Sequence, residues 1–161
     1  SLTMSSIFQK KQIAKPLCVL LIGNNPIELS SILEKLNQVH SPKIKTEIAF
    51  DLKSILARLM SFKPNFILID DNIGKTAMVL ALQALEGNRQ TRDVPITLLK
   101  SSNYHEAQGT HGILDYLLKQ NLSADGIYSM LRNSLKFRRT QQYFFNAYQK
   151  RKEQLSKLIK E

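Results

Sequence analysis

The stretch Phe66-Ile67-Leu68-Ile69-Asp70-Asp71-Asn72-Ile73-Gly74 decides how this chain is read. Four apolar residues run unbroken and stop at two carboxylates, an amide, an isoleucine and a glycine. A continuous apolar run of strand length fits a central parallel strand covered by helices on both faces. In open α/β sheets, the carboxyl ends of such strands are where chemistry is placed. Asp70 is therefore expected at an edge where its carboxylate faces a ligand.

Strand and helix patterns alternate on either side. Upstream, Leu17–Ile22 (LCVLLI) reads as a buried strand. Gly23-Asn24-Asn25-Pro26 follows as a tight connection, with Pro26 suited to a first helical turn. Ile27, Leu29, Ile32, Leu33 and Leu36 then predict a helix to about Val39. Ile44–Ala49 alternates as an edge strand would. Asp51 is placed to cap a helix carrying Leu52, Ile55, Leu56, Leu59 and Met60. Downstream, Met78, Leu82 and Leu85 mark a helix ending near Gly87, and Ile96–Leu99 is a further buried strand. Asn103–His111 reads as a polar, weak helix. Tyr116–Leu118 is a short strand ended by Lys119, and Ser123 opens a last helix with Ile127, Met130, Leu131 and Leu135 on one face. The expected architecture is α/β: a doubly wound, five-stranded parallel sheet with right-handed crossovers and an extended C-terminal helix.

Length and composition agree with one domain. The chain has 161 residues and is 43% hydrophobic, and no apolar run reaches membrane-span length. Its single cysteine, Cys18, sits inside an apolar run, which excludes a disulfide framework and makes a cytoplasmic setting the default. The net charge of +10 is uneven. Residues 1–16 form a basic lead-in expected to be flexible, and residues 17–132 are nearly neutral. Residues 133–161 carry 8 basic and 2 acidic side chains, so the positive charge gathers in the tail. That pattern argues against a nucleic-acid-binding core.

No proline or glycine occurs between Ile127 and Glu161. Gln141, Phe145, Tyr148, Lys152, Leu155 and Ile159 follow a 4-3-4-3-4 spacing, which is a coiled-coil seam. A helix with such a seam needs a partner, and a homodimer through the C-terminal helix is one expectation. A second reading lets Lys136, Arg138, Arg139, Lys150, Arg151 and Lys152, interleaved with aromatics, bind nucleic acid. A solvated basic face around an apolar seam is the favoured reading.

The order of these motifs over about residues 17–135 resembles the receiver domains of two-component response regulators. The likeness rests on IGNNP, ILIDDNIG, PITLLKSS and GILDYLLKQ. It implies a flavodoxin-like, receiver-type fold, with a basic helical extension at 136–161. It also implies that Asp70 holds the phosphoacceptor position, Lys119 the phosphoryl-contact position and Tyr116 the switch-aromatic position. Partners would be a histidine kinase, a phosphotransfer protein or an effector module, meeting the face of the fourth helix, fifth strand and fifth helix.

The departures from that family bear directly on function. Its two acidic residues after the first strand, which hold Mg²⁺, are here Gly23 and Asn24. Its small hydroxylated residue ending the fourth strand is here Lys100. Mg²⁺ favours hard anionic oxygens, so a pocket of Gly23, Asn24, Asp70 and Asn72, with Asp71 if it turns inward, is expected to bind it weakly. The ammonium of Lys100 or Lys119 is expected to pair with Asp70 in the metal's place, leaving the pocket charge-balanced. The chain is then read as a pseudo-receiver, not an enzyme, that signals through protein contacts. The alternatives are a receiver still phosphorylated on Asp70, or Asp70 and Asp71 serving only as helix caps. Gly74-Lys75-Thr76 lacks the upstream glycine of a phosphate loop. His40, His105 and His111 share no face and suggest no zinc site.

Overall fold

The computed structural model describes residues 15–101 and 113–160. Five strands, β1 (Leu17–Ile22), β2 (Ile44–Ala49), β3 (Phe66–Asp70), β4 (Ile96–Lys100) and β5 (Ile113–Leu118), form one sheet in the order β2-β1-β3-β4-β5. Every pairing is parallel, with Leu21 opposite Leu68, Asp70 opposite Leu99 and Lys100 opposite Leu118. The doubly wound parallel sheet expected from the alternating patterns is therefore present, with β2 on an edge.

Helices α1 (Pro26–Asn37), α2 (Leu52–Leu59), α3 (Lys75–Gly87) and α4 (Ala124–Lys160) cover it. The pleat of β3 divides its side chains between two cores. Ile67 and Ile69 join a cluster with Ile55, Leu59, Met78 and Leu82. Phe66 and Leu68 join another with Leu29, Ile32, Leu36 and Ile127. So α2 and α3 cover one face, and α1 and α4 the other. A strand buried on both faces is what an unbroken apolar run requires.

Local sequence sets where the helices start. Asn25 caps α1 through its side-chain oxygen, which accepts from the Ile27 and Glu28 N–H groups, and Pro26 occupies the first turn. Asp51 and Ser54 form a reciprocal capping box on α2. Gly74, at φ 88°, makes the turn into α3 that a side chain would resist. The Ser123 hydroxyl oxygen accepts from the Gly126 N–H at the start of α4.

Several expectations are corrected. Ile27 is 83% exposed, because residues two apart on a helix lie about 200° apart and Leu29 faces the core. On α2 only Ile55 and Leu59 are buried; Leu52, Leu56 and Met60 are 40%, 47% and 88% exposed. Each step takes them about 40° further from the buried line, and exposure rises with the angle. α1 stops at Asn37, and β5 begins at Ile113 rather than Tyr116. The expected helix at Asn103–His111, with His105 and His111, lies outside the described residues. So does most of the expected lead-in at 1–16.

α4 is a single helix of 37 residues, about 55 Å long at ~1.5 Å per residue. Ile127, Met130, Leu131 and Ser134 pack on the domain, whereas Phe144, Phe145, Tyr148, Leu155 and Ile159 are exposed. No described helix is long and apolar enough to cross a membrane.

Candidate functional site

The carboxyl edge of the sheet gathers side chains from five segments. Asp70 closes β3 and is fully buried. Its Oδ1 accepts a hydrogen bond from the Asn72 N–H at 2.9 Å and meets the Lys119 ammonium. Lys119 follows directly on β5, so the parallel register carries it to the same edge. Its Nζ also lies 2.9 Å from Glu28 Oε2 and 3.5 Å from Asp71 Oδ1.

Glu28 comes from the first turn of α1. The Asn25 cap and Pro26 start that helix immediately beyond β1, which points Glu28 at the strand ends. Asn72 Nδ2 donates to Glu28 Oε2 and bridges α1 to the turn after β3. Asp71 faces inward and accepts from the Ser101 N–H at 3.1 Å and the Ser101 hydroxyl at 3.0 Å. Three carboxylates thus surround one ammonium.

Charge and burial act on each group differently. Burial pushes the Asp70 carboxyl above its ordinary 3.8, against the hydrogen bonds from Lys119 and the Asn72 N–H. Its Oδ2 is buried without a hydrogen-bond partner among the described residues. The Lys119 ammonium holds the Glu28 carboxyl below 4.5, although partial burial opposes this. Burial alone would lower Lys119; the bonds to Asp70 and Glu28 outweigh it and hold the ammonium above 10.5.

The residues expected at the site are placed as follows. Asp70, Asn72 and Lys119 come together, and Asp71 turns inward to join them. The ammonium that meets Asp70 is that of Lys119. Lys100 closes β4, half-buried, opposite Leu118. Asn24 is exposed, while Gly23 is buried. A Cβ at Gly23 would come within 2.7 Å of Leu29 Cδ2 and 3.2 Å of Asp70 Cβ, so Leu29 must shift before any side chain fits there. Tyr116 stands in β5 opposite Leu98, and its side chain lies outside the described residues.

Two participants escaped the sequence reading. Glu28 makes the arrangement more than the expected single ion pair: with Asp70 and Asp71 it shares the one ammonium of Lys119. The Asn-Pro cap three residues earlier was the available signal. Ser101 supplies the hydroxyl that Lys100 lacks, one residue further on, though it bonds Asp71 and not Asp70. Asp70 also caps the 3-10 turn Asp71–Ile73, so the capping reading accounts for one of its contacts, but not for Lys119.

Magnesium, which a receiver-type fold implies, meets a poor fit in this arrangement. The oxygen donors are of the right kind, but the cation among them is an ammonium that three carboxylates hold. The Gly23 position offers no side-chain donor, and Asp70 Oδ2 is sealed from solvent.

No family model matches the chain, and no curated protein matches it. Solved structures do. A putative response regulator from Chloroflexus aurantiacus J-10-fl superposes with a TM-score of 0.65 at 17% identity, covering 76% of this chain and 99% of that one. The receiver domain of a sensor histidine kinase from Pseudomonas aeruginosa PAO1, with a magnesium ion coordinated in its active-site cleft, gives 0.64 at 17% over the same shares. The chemotaxis response regulator CheY4 of Vibrio cholerae gives 0.59 at 17%, covering 74% of this chain and 99% of that one. At such identities the likeness shows the fold: this chain has the receiver fold, followed by the helical extension.

Proposed function

We propose that the chain is a receiver-like module of two-component signalling, in which an internal ammonium takes the place of the metal. The module works in the cytoplasm as a binding partner, not an enzyme, of a histidine kinase, a phosphotransfer protein or an effector. The observation that carries this reading is the position of Lys119 Nζ, in contact with Asp70 and close to Glu28 and Asp71. In the Pseudomonas domain a magnesium ion lies in the cleft. Here no acid directly follows β1 to hold a metal, and the lysine at the phosphoryl-contact position, tethered by the chain, is the cation that meets Asp70. A tethered ammonium stabilises one arrangement of the strand ends and competes with an incoming cation. Phosphorylation of Asp70 is therefore impaired. The exposed seam of α4 joins two copies of the module.

The test is incubation with acetyl phosphate and Mg²⁺, followed by intact mass. The expected spectrum is that of the unmodified chain. A stable adduct of one phosphoryl group, absent from Asp70→Asn, would show an active receiver instead.

A further inference from the structure

The seam of α4 lies on the same side of the helix as the domain. At 3.6 residues per turn, Gln141, Phe145, Tyr148, Lys152, Leu155 and Ile159 centre within about 30° of the line through the buried Ile127, Met130, Leu131 and Ser134. Asp93, on the loop before β4, lines a gap of about 550 Å³ together with Arg138, Gln141, Gln142, Phe144, Phe145 and Asn146, an arc of α4 that includes the start of the seam. The domain therefore overhangs the start of its own seam.

That placement excludes one way of pairing two copies. In a parallel coiled coil, the second helix would continue past Gln141 toward its own N-terminus, through the space filled by this chain's sheet and α1. It would also set Lys152 against Lys152 of the second copy, a like-charged contact in the middle of the seam. We infer that two copies pair antiparallel through the exposed stretch of α4, centred on Lys150. This rests on the pairing of two copies proposed above and gives it a direction.

The layers match in that register. Phe145 faces Leu155 of the second copy, and Gln141 faces Ile159. Lys152 faces Tyr148, so its ammonium lies on a phenol ring instead of another lysine. Phe144 and Leu158, both exposed in the single chain, flank the seam together. One contact opposes the arrangement: Arg151 meets its own copy at the solvated rim, where salt screens it. The helix end of the second copy, with Ile159 opposite Gln141, reaches the gap that Asp93 lines. Each domain then sits at the far end of the other's helix.

The test uses the full chain with Cys18→Ser, carrying either Phe145→Cys or Leu155→Cys. A disulfide needs Cα atoms about 4.4–6.8 Å apart. In the antiparallel pair, like positions lie about 15 Å apart along the axis at 1.5 Å per residue, whereas positions 145 and 155 face each other. The expected result is a covalent dimer on oxidising the mixture of the two variants, and none from either alone. Self-crosslinking of Leu155→Cys would establish a parallel pair and overturn the direction. Sedimentation of the unmodified chain separates the two claims. A dimer with the wrong crosslinks defeats only the direction, and a monomer defeats the pairing as well.

Discussion

Glu28 and Lys119 stand 91 positions apart in the chain, and their charged atoms lie 2.9 Å apart at the carboxyl edge of the sheet. This contact ties the start of α1 to the end of β5 across the top of β3, where Asp70 waits beneath. Here the same lysine is bound to three carboxylates, so perturbing any one alters the surroundings of the others.

The Asp70–Lys119 pair is expected to be strongly coupled. Lys119→Met leaves a fully buried carboxylate without its cation, and breaking such a pair from one side costs about 3–5 kcal/mol. Asp70 is already held toward its protonated form, so uptake of a proton brings the expected loss down to about 2–3 kcal/mol. Asp70→Asn costs less, because Lys119 keeps Glu28 and Asp71. Urea unfolding of both single variants and the double should give a coupling energy of about 1–2 kcal/mol. Additive losses would mean that the two groups do not sense each other in solution.

The pH dependence of Glu28 follows from the direction of its shift. Its folded carboxyl lies below the ordinary 4.5, so the stability it adds is present above 4.5 and is lost as pH falls through the folded value. Asp70 runs the other way: raised above 3.8, its ionisation weakens the fold as pH rises through its folded value. The stability difference between the parent and Glu28→Gln should be constant near neutrality and close below pH 4.5. Denaturation series in both proteins measure it. A difference unchanged down to pH 3 would mean that Glu28 is not held by Lys119.

Lys119 titrates on the opposite flank. Its folded ammonium lies above 10.5, so its contribution is complete below that value and disappears as pH rises through the folded one. The advantage of the parent over Lys119→Met should therefore narrow above pH 10.5, as it also does in acid where Glu28 takes up a proton, read from the same unfolding curves.

Most of the architecture was legible because it depends on local patterns. β3 and β4 read as buried strands from unbroken apolar runs, β2 as an edge from alternation, and Asp51 and Ser123 as caps from residue type. What failed was angular or distant. Ile27 and Met60 sit on the wrong side of their helices by 120° or more, which apolar counting does not resolve. Glu28 does not stand out in the sequence, because the partners that hold it, Asn72 and Lys119, are 44 and 91 positions away. The choice between Lys100 and Lys119 turns on how far each follows its strand and which way the pleat points it. Neither is visible before the register is known.

Metal affinity should respond to the lysine. With the ammonium in place, 10 mM Mg²⁺ is expected to leave the melting temperature unchanged. Lys119→Met keeps Glu28, Asp70, Asp71 and Asn72 with no cation among them, and Mg²⁺ should then stabilise the fold by about 1 kcal/mol, through binding to the folded state alone. Thermal melts with and without Mg²⁺ decide this. Equal stabilisation of both proteins would show that the ammonium does not compete.

Restoring an acid after β1 should fail unless room is made for it. At Gly23 even a methyl group meets Leu29 Cδ2 at 2.7 Å, and Leu29 is itself buried in the core. Overpacking of this kind costs about 1–3 kcal/mol, so Gly23→Ala is expected to lose that amount. Gly23→Asp should lose more, because its carboxylate arrives beside Asp70 and adds a negative charge next to the three carboxylates around Lys119. Leu29→Ala opens a cavity, at a typical cost of about 2–5 kcal/mol when made alone. In the double variant Gly23→Asp/Leu29→Ala the side chain enters that cavity, so the combined loss should fall short of the two single losses by about 1–2 kcal/mol. Chemical denaturation of the four proteins measures the shortfall. Strict additivity would mean that Leu29 is not what keeps the metal-side acid out.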